Sequence, residues 1–430
     1  MQVTTLENGI RVASVNLPNT RSVALGVLVD AGPRNEPTQK SGLAHLAEHL
    51  FFQGTSSRNA REIALFVDRS GGSIGAFTAR DYTLFGASVL DDYLPFAIEL
   101  MGDILLNSLF PQGALDREKQ SILSELARAE DDPQSLVHDL LKSLAWGSHP
   151  LGRQIAGSPE SVQLLTREDL IYFVGENYLP DRIIVAAAGN LDHEDFTAHI
   201  RDAFWRMIGT SHRSRLSESC GFKAGVVLRE KPLHQVYFAL GLPALPFAHP
   251  QRFHLHLLTR ILGGGLSSRL YQLLRENLGL VYYIDAEYHA YRDHGMLVIE
   301  GSTTPDQFLS VLNLIGDMLR NLANGESQID LEELHTARTR LQGQHLLESE
   351  QAHVQMSRLA TQLLYFGKPI PEKSLLQEIA QISVQELNAF SHHFLTKNLS
   401  HFALSAAGPF SENALTQENM QAWISQVCQR

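Results

Sequence analysis

The 430-residue chain lacks three features that would assign it to common classes of protein: long apolar runs, cysteines in number, and a basic excess. A membrane-spanning helix needs about 20 apolar residues, and no run of 18 is present, so no such span is expected. Cys220 and Cys428 are too few for a disulfide framework and lack metal-type spacing. With 35 Lys+Arg against 47 Asp+Glu, neither nucleic acid nor an acidic membrane surface is an expected partner.

The first residues, MQVTTLENGIRV, have neither the basic nor the apolar segment of a secretory signal. If Met1 is the native start, the expected location is the cytoplasm. If a signal peptide has been removed, the expectation changes to the periplasm.

The pattern of the first half of the chain returns in the second. Residues 165–189 read as helix, short loop, apolar strand and glycine, and residues 382–408 repeat that order. So long a self-similarity predicts two homologous domains, 1–208 and 226–430, joined by a polar Ser/Gly-rich linker at 209–225. Strands and helices alternate without a strict β-α-β rhythm. The expected fold class is therefore α+β, each domain being a mixed or antiparallel sheet packed with helices on one face.

The most informative segment is GLAHLAEHLFFQG, residues 42–54. His45 and His49 are four residues apart, so on a helix their rings share one face. The rest of this helix is apolar apart from Glu48, which predicts burial. Core histidines satisfied by backbone groups are the alternative interpretation. A metal ion accounts better for the set, because an isolated buried carboxylate is costly unless it is paired or serves a cation.

His-x-x-Glu-His is the inverted form of the His-Glu-x-x-His zinc motif. Catalytic zinc usually has three protein ligands, so one more is required. Residues 116–133 form a predicted helix on which Glu118 and Glu125 share a face. Taken alone, those glutamates are also compatible with an ordinary solvated helix face.

These residues resemble the pitrilysin/insulinase family of zinc peptidases, in particular the short-chain branch that includes the mitochondrial processing peptidase. The resemblance extends over nearly the whole chain. It implies that Glu125 is the third zinc ligand and that Glu118 supports the ligands. Residues 177–190 match the family's closing strand and loop. Residues 265–282 match a segment with an arginine and, seven residues later, a tyrosine, here Arg275 and Tyr282.

The resemblance implies a zinc metalloendopeptidase that hydrolyses unstructured peptides or small proteins. One Zn²⁺ per chain is expected on His45, His49 and Glu125, with Glu48 as the general base. The peptide is expected to lie along Gly75, Ala76, Phe77 and Thr78. Gly75 departs from the family pattern, which usually has asparagine there, and so removes one side-chain amide from the substrate strand.

Long-chain members of the family carry the corresponding arginine and tyrosine in the second half of a duplicated polypeptide. Because this chain has half that length, the resemblance implies a homodimer in which Arg275 and Tyr282 complete the partner's active site; a heterodimer is an alternative. The second functional hypothesis is a non-catalytic scaffold or partner subunit. Such relatives have usually lost parts of the metal set, and this chain keeps all of it.

Other motifs in the chain favour structural interpretations. Residues 71–75 fit the G-x-S-x-G pattern of serine hydrolases, but the expected order is helix before and strand after, the reverse of a nucleophile elbow. Residues 263–265 lack the Lys-Ser/Thr of a phosphate loop. His254 and His256, two apart, face different sides of a helix.

Overall fold

The computed structural model describes residues 1–210 and 221–410. The centre of the expected linker, both cysteines and the last 20 residues of the expected second domain lie outside these ranges. Among the described helices, none is long and apolar enough to cross a bilayer.

The elements of residues 1–210 are, in chain order, β1 Gln2–Thr5, β2 Arg11–Asn16, β3 Ser22–Val29, α1 Leu43–Phe51, α2 Ala60–Ser70, β4 Ser73–Thr78, β5 Thr83–Leu90, α3 Leu94–Asn107, α4 Gln112–Asp131, α5 Pro133–Trp146, α6 Pro159–Leu164, α7 Arg167–Asn177, β6 Ile183–Gly189 and α8 His193–Phe204.

The elements of residues 221–410 are β7 Gly225–Glu230, β8 Val236–Ala244, α9 Arg252–Leu262, a π-helix Tyr271–Asn277, β9 Val281–Ala290, β10 Gly295–Thr303, α10 Phe308–Ala323, α11 Leu331–Ser349, α12 Ala352–Phe366, α13 Glu372–Gln381, α14 Val384–Asn398 and β11 Ala403–Gly408.

Each half of the sequence contributes one mixed sheet. The first sheet has the order β1-β2-β6-β3-β5-β4 and the second β7-β11-β8-β10-β9. In the first, β2 and β6 are parallel and the other pairs antiparallel; in the second, β7 and β11 are the parallel pair. The five strands β2-β6-β3-β5-β4 therefore correspond in order and direction to β7-β11-β8-β10-β9. This confirms the expected α+β class with two domains of one build.

The two compact units do not divide at a single point of the chain. The first unit comprises residues 1–127, 153–210 and 346–370 of the described part, and the second comprises 128–152, 221–345 and 371–410. Helix α5 thus belongs to the second unit and α12 to the first. The domains predicted from the sequence, 1–208 and 226–430, are each one continuous segment and therefore do not describe this exchange of helices.

The exchanged helices cover the sheet faces opposite the main cores. In the first unit α12 packs on small residues of β2, β3 and β6, among them Ala13, Ala24 and Ala186. In the second unit α5 packs on Ala239, Ala403 and their neighbours. Small side chains let a helix approach a sheet closely. Each sheet is therefore covered on both faces, and not on one face only as the sequence analysis expected.

Candidate metal centre

Helix α1 is held in place by burial on nearly all sides. Its apolar residues are buried in the first core; they are Leu43, Ala44, Leu46, Ala47, Leu50 and Phe51. The preceding Gly42 has φ +98°, the left-handed region that favours glycine. It offers no side chain to cap the helix.

The carboxylate of Glu36 replaces that missing cap. It accepts hydrogen bonds from the backbone N–H groups of Gly42 (3.0 Å) and Ala44 (2.7 Å). Glu36 is only 5% exposed, and burial raises its pKa from 4.5 to about 7. These hydrogen bonds fix the first turn of the helix that carries His45 and His49.

Three potential ligand atoms converge between α1 and α4. The Nε2 atoms of His45 and His49 each lie 3.8 Å from Oε2 of Glu125. The two imidazole rings meet edge to face, with centroids 4.6 Å apart. In the described part of the chain these three residues form the one group of His, Cys, Asp or Glu side chains close enough to hold a metal ion.

Glu118 lies two helical turns before Glu125 on α4 and contacts one of the candidate ligands. Its Oε2 lies 2.9 Å from Nδ1 of His49, and its Oε1 accepts a hydrogen bond of 2.9 Å from the side-chain amide of Gln53. A carboxylate on Nδ1 keeps the proton there and leaves Nε2 free to bind a metal. Glu118 therefore sets the tautomer and orientation of His49.

Glu48 lies on the same helix as the two histidines but is not part of the metal-ligating group. Its Oε2 accepts a hydrogen bond of 2.5 Å from the hydroxyl of Thr78, at the end of β4. Burial raises the pKa of Glu48, while the Thr78 hydroxyl opposes the rise and Glu125 adds to it. A carboxyl whose pKa is moved toward neutrality is suited to general base catalysis.

Three observations indicate that these residues can hold a zinc ion. Burial, with a contribution from His49, lowers the pKa of His45 from 6.5 to about 4, so its ring is neutral at pH 7. The Nε2 atom of His45 faces Glu125 and is therefore the nitrogen available to a metal, while its Nδ1 is buried with no hydrogen-bond partner among the described residues. Two donors on one tetrahedral zinc lie about 3.4 Å apart, and the two 3.8 Å separations are close to that value.

The remaining expected site residues lie on strands β4 and β9. Residues 75–78 form most of β4, an edge strand of the first sheet. Tyr282 lies on β9 of the second unit and is 74% exposed. The guanidinium carbon of Arg275 is 4.8 Å from the centroid of its ring, a cation–π distance. The seven-residue spacing thus brings this arginine and tyrosine together.

Two residues that support the site, Glu36 and Gln53, were not predicted from the sequence. Glu36 had one available signal, a helix that begins after glycine without a Ser, Thr, Asp or Asn to cap it. Gln53 gave none, since its contact with Glu118 spans 65 residues.

The serine-hydrolase pattern is not a nucleophile elbow, as expected: helix α2 ends just before residues 71–75, and Ser73 is the first residue of strand β4.

The matching family models and the similar curated proteins agree on one family. Residues 11–159 match the model of the insulinase family (peptidase family M16), and residues 164–341 match that of the peptidase M16 inactive domain. The chain is 33% identical to an uncharacterised zinc protease of Mycobacterium leprae, over 98% of this chain and 95% of that protein. It is 32% identical to an uncharacterised zinc protease of Bacillus subtilis, over 94% and 98% of the two chains.

Solved structures show the same fold. A protease from Helicobacter pylori superimposes with a TM-score of 0.87 at 22% identity, covering 95% of this chain and 99% of that one. A peptidase M16 inactive domain from Pseudomonas fluorescens gives a TM-score of 0.86 at 21% identity, over 95% and 97% of the chains.

Proposed function

The chain belongs to the insulinase family of peptidases, family M16, and on that premise we propose that it is an active zinc metalloendopeptidase. The observation that carries the proposal is the convergence of His45, His49 and Glu125 beside a carboxylate, Glu48, outside the ligand group. A site that only stored a metal would not need this fourth group with a raised pKa. The domain described as inactive by its family model matches residues 164–341, which contain none of these four residues.

The mechanism assigns one task to each side chain. A zinc ion held by the two histidines and Glu125 would supply Lewis-acid chemistry, acidifying water and polarising the scissile carbonyl. Glu48 takes the proton of the attacking water on a carboxylate oxygen and delivers it to the nitrogen of the leaving amine. Thr78 holds Glu48 in place through the 2.5 Å hydrogen bond, and Glu118 orients His49.

The substrate binds as an additional strand on β4. Ala79 N–H donates to Tyr82 C=O across the β4–β5 turn, and hydrogen-bonded pairs alternate along an antiparallel ladder. Phe77 and Gly75 therefore direct their backbone groups to β5, while Ala76 and Thr78 direct theirs to the open edge. A peptide held by these main-chain groups is bound largely regardless of its sequence, so unstructured peptides and small proteins are the proposed substrates.

The test separates cleavage from metal binding. Wild-type protein is expected to contain one zinc per chain by atomic absorption and to cleave a peptide library. Glu48→Gln should keep the zinc and lose cleavage, because the general base is removed while all three ligands remain. Glu125→Ala should lose zinc. A wild-type chain with no stoichiometric zinc and no cleavage would favour the non-catalytic partner subunit instead, and loss of zinc in Glu48→Gln would contradict its role as a non-ligand.

We also infer that the enzyme is a homodimer in which each chain completes its partner's site. Support comes from Tyr282, which is 74% exposed on the edge strand β9 with Arg275 beside it. There Tyr282 would donate to the developing oxyanion and Arg275 would anchor the peptide; one such donor contributes roughly 10²–10³ in rate.

The test of this arrangement is complementation between Glu48→Gln and Tyr282→Phe chains. A mixed dimer has one site with both groups intact, so subunit exchange should restore activity. Proven exchange without recovery would contradict the shared site.

A further inference from the structure

The face of strand β4 that points away from α1 borders a cavity of about 320 Å³. Side chains alternate along a strand. Ile74 and Ala76 pack against the main core of the first unit, and Thr78 contacts Glu48. Ser73, Gly75 and Phe77 therefore face the opposite side, toward α12. The cavity lies there, between β4, β5 and the His353–Ser357 turn of α12.

Two cross-strand glycines create this space. Gly75 pairs with Gly86. Neither has a positive φ, so neither is required by the backbone conformation. Among the described residues, a Cβ at Gly75 would meet no atom within 4 Å, and one at Gly86 would meet only backbone oxygens, at 3.9 and 4.0 Å. Close packing does not require glycine here either. What the pair of glycines provides is an unfilled volume beside the sheet edge.

The second unit offers an internal comparison, because its strands repeat the same order. Gly26 on β3 lies under Met356 of α12, and Gly241 on β8 lies under Leu141 of α5. Gly26 and Gly241 therefore serve as corresponding positions in the two sheets. Gly26 pairs with Gly86 and Gly86 with Gly75; in the second sheet Gly241 pairs with Val298 and Val298 with Glu287. Val298 thus corresponds to Gly86, and Glu287 to Gly75. The second unit thus has side chains at both positions. The two glycines belong to the unit that carries the metal ligands.

A strand added to β4 would bring a substrate side chain to this volume. Because Gly75 directs its backbone groups to β5, an antiparallel substrate residue opposite it forms a non-hydrogen-bonded pair, in which side chains lie closest. That side chain points to the α12 face, over the missing Cβ. Gly75 is three residues from Thr78, about 10 Å along the strand, so this substrate residue lies within about three residues of the cleaved bond.

The chemistry of the lining indicates which side chains fit. Its walls include Phe77, Leu84 and Met356, and no Asp, Glu, Lys or Arg of the described residues lines it. The polar groups of the lining belong to three serines and one histidine, Ser73, Ser88, Ser357 and His353. A charged side chain placed there would lose water without gaining a carboxylate, ammonium or guanidinium partner. Methionine adapts its shape to different apolar neighbours.

Resting on the proposed function, we propose that this cavity is a specificity subsite that accepts a large apolar side chain of the substrate, such as Leu, Met or Phe, at a fixed position near the cleaved bond. Main-chain pairing to β4 then binds peptides generally, and the cavity selects among them.

The experiment begins with a library of unstructured peptides, digested by the wild-type holoenzyme, with the cut sites mapped by mass spectrometry. Leu, Met and Phe should be enriched at one position within about three residues of the cut. Two peptides that differ only there, Leu against Ala, should then differ in kcat/KM by roughly tenfold or more.

Filling the cavity should abolish that ratio. In Gly75→Leu the new side chain occupies the space, and the Leu/Ala ratio is expected to fall to about one or below. Gly86→Val fills it from the neighbouring strand and Ser357→Leu from α12, so the test does not depend on one variant folding. Gly175→Leu is the matched control: a Cβ at Gly175, on α7, also meets nothing within 4 Å, and the wild-type ratio should persist. Zinc content and circular dichroism identify the folded variants.

The outcomes separate the subsite from the proposed function. No cleavage by wild-type holoenzyme would overturn the proposed function, and the subsite with it. Cleavage without apolar preference, or a Leu/Ala ratio unchanged in the folded cavity variants, would overturn the subsite alone.

Discussion

Glu36 should make the stability of the first unit fall as the pH rises. Its carboxyl has a pKa of about 7 in the folded chain, against 4.5 in the unfolded one, because burial disfavours the charged form. Between these values the unfolded chain has released the proton and the folded chain retains it. The contribution of Glu36 to the free energy of unfolding is therefore most favourable below pH 4.5. It falls as the pH rises from 4.5 to about 7 and stays constant above that. At 1.36 kcal/mol per pKa unit, the total loss is about 3 kcal/mol.

The assay is amide hydrogen exchange of metal-free protein at pH 5, 6, 7 and 8, on peptides covering β3 and β6. After correction for the intrinsic pH dependence of exchange, protection reports the opening free energy of this unit without assuming two-state unfolding of the whole chain. Other groups titrate as well, so the quantity compared is the difference between wild type and Glu36→Gln. From pH 5 to pH 8 we expect the stability of the wild type relative to Glu36→Gln to fall by about 2.5 kcal/mol, a loss of roughly 70-fold in protection.

The matched control is Glu160→Gln. Glu160 also lies at a helix N-terminus, but its pKa is lowered by the Ser158 hydroxyl, so it remains ionised over this range and its difference from wild type should be flat. A flat difference for Glu36→Gln would refute the reasoning, since it would mean that Glu36 releases its proton at the same pH in both states.

Three further predictions concern the site and the sheet behind it. Glu118→Ala should weaken zinc binding about 10–100-fold in a chelator competition, because the orientation of His49 is lost. Thr78→Val should move the acidic limb of the kcat/KM profile to higher pH, because the hydroxyl that lowers the pKa of Glu48 is removed; an unmoved limb would contradict Glu48 as the titrating base. Gly26→Ala places a Cβ 2.2 Å from Met356 Sδ and should destabilise the first unit by about 1–3 kcal/mol. Combining it with Met356→Ala should relieve part of that loss in a double-mutant cycle followed by hydrogen exchange.

The local sequence was sufficient to predict helix α1 and its pair of candidate ligands, because helical periodicity alone places His45 and His49 on one face. It also predicted α4 with Glu118 and Glu125 on a common face, although the resemblance was needed to choose between a ligand set and a solvated surface. Contacts made across long stretches of chain were not predictable. Nothing in residues 352–366 says that this amphipathic helix covers the sheet of the first unit, since its apolar face would fit either sheet.

The roles of two single residues, Glu36 and Gly75, were likewise not predictable from the sequence. Glu36 lies in an irregular segment whose path back to α1 has no periodic signature. At Gly75 a glycine in a strand ordinarily indicates a bulge or close packing. The structure shows instead that no described atom lies within 4 Å of where a Cβ of Gly75 would be.

Because α12 lies late in the chain, the first sheet is synthesised well before the helix that covers its second face. Strand β6 ends at residue 189 and α12 begins at residue 352, so the 162 residues 190–351 lie between the completed first sheet and the helix that covers its second face. At 5–20 residues per second, translation of that stretch takes about 8–30 s. Throughout this interval Ala13, Ala24, Leu28 and Ile184 lie on an uncovered apolar surface of the nascent chain. The second sheet has no such interval, because α5 has already left the ribosome before its first strand is made. We therefore expect the nascent first half to be prone to aggregation until α12 has been synthesised.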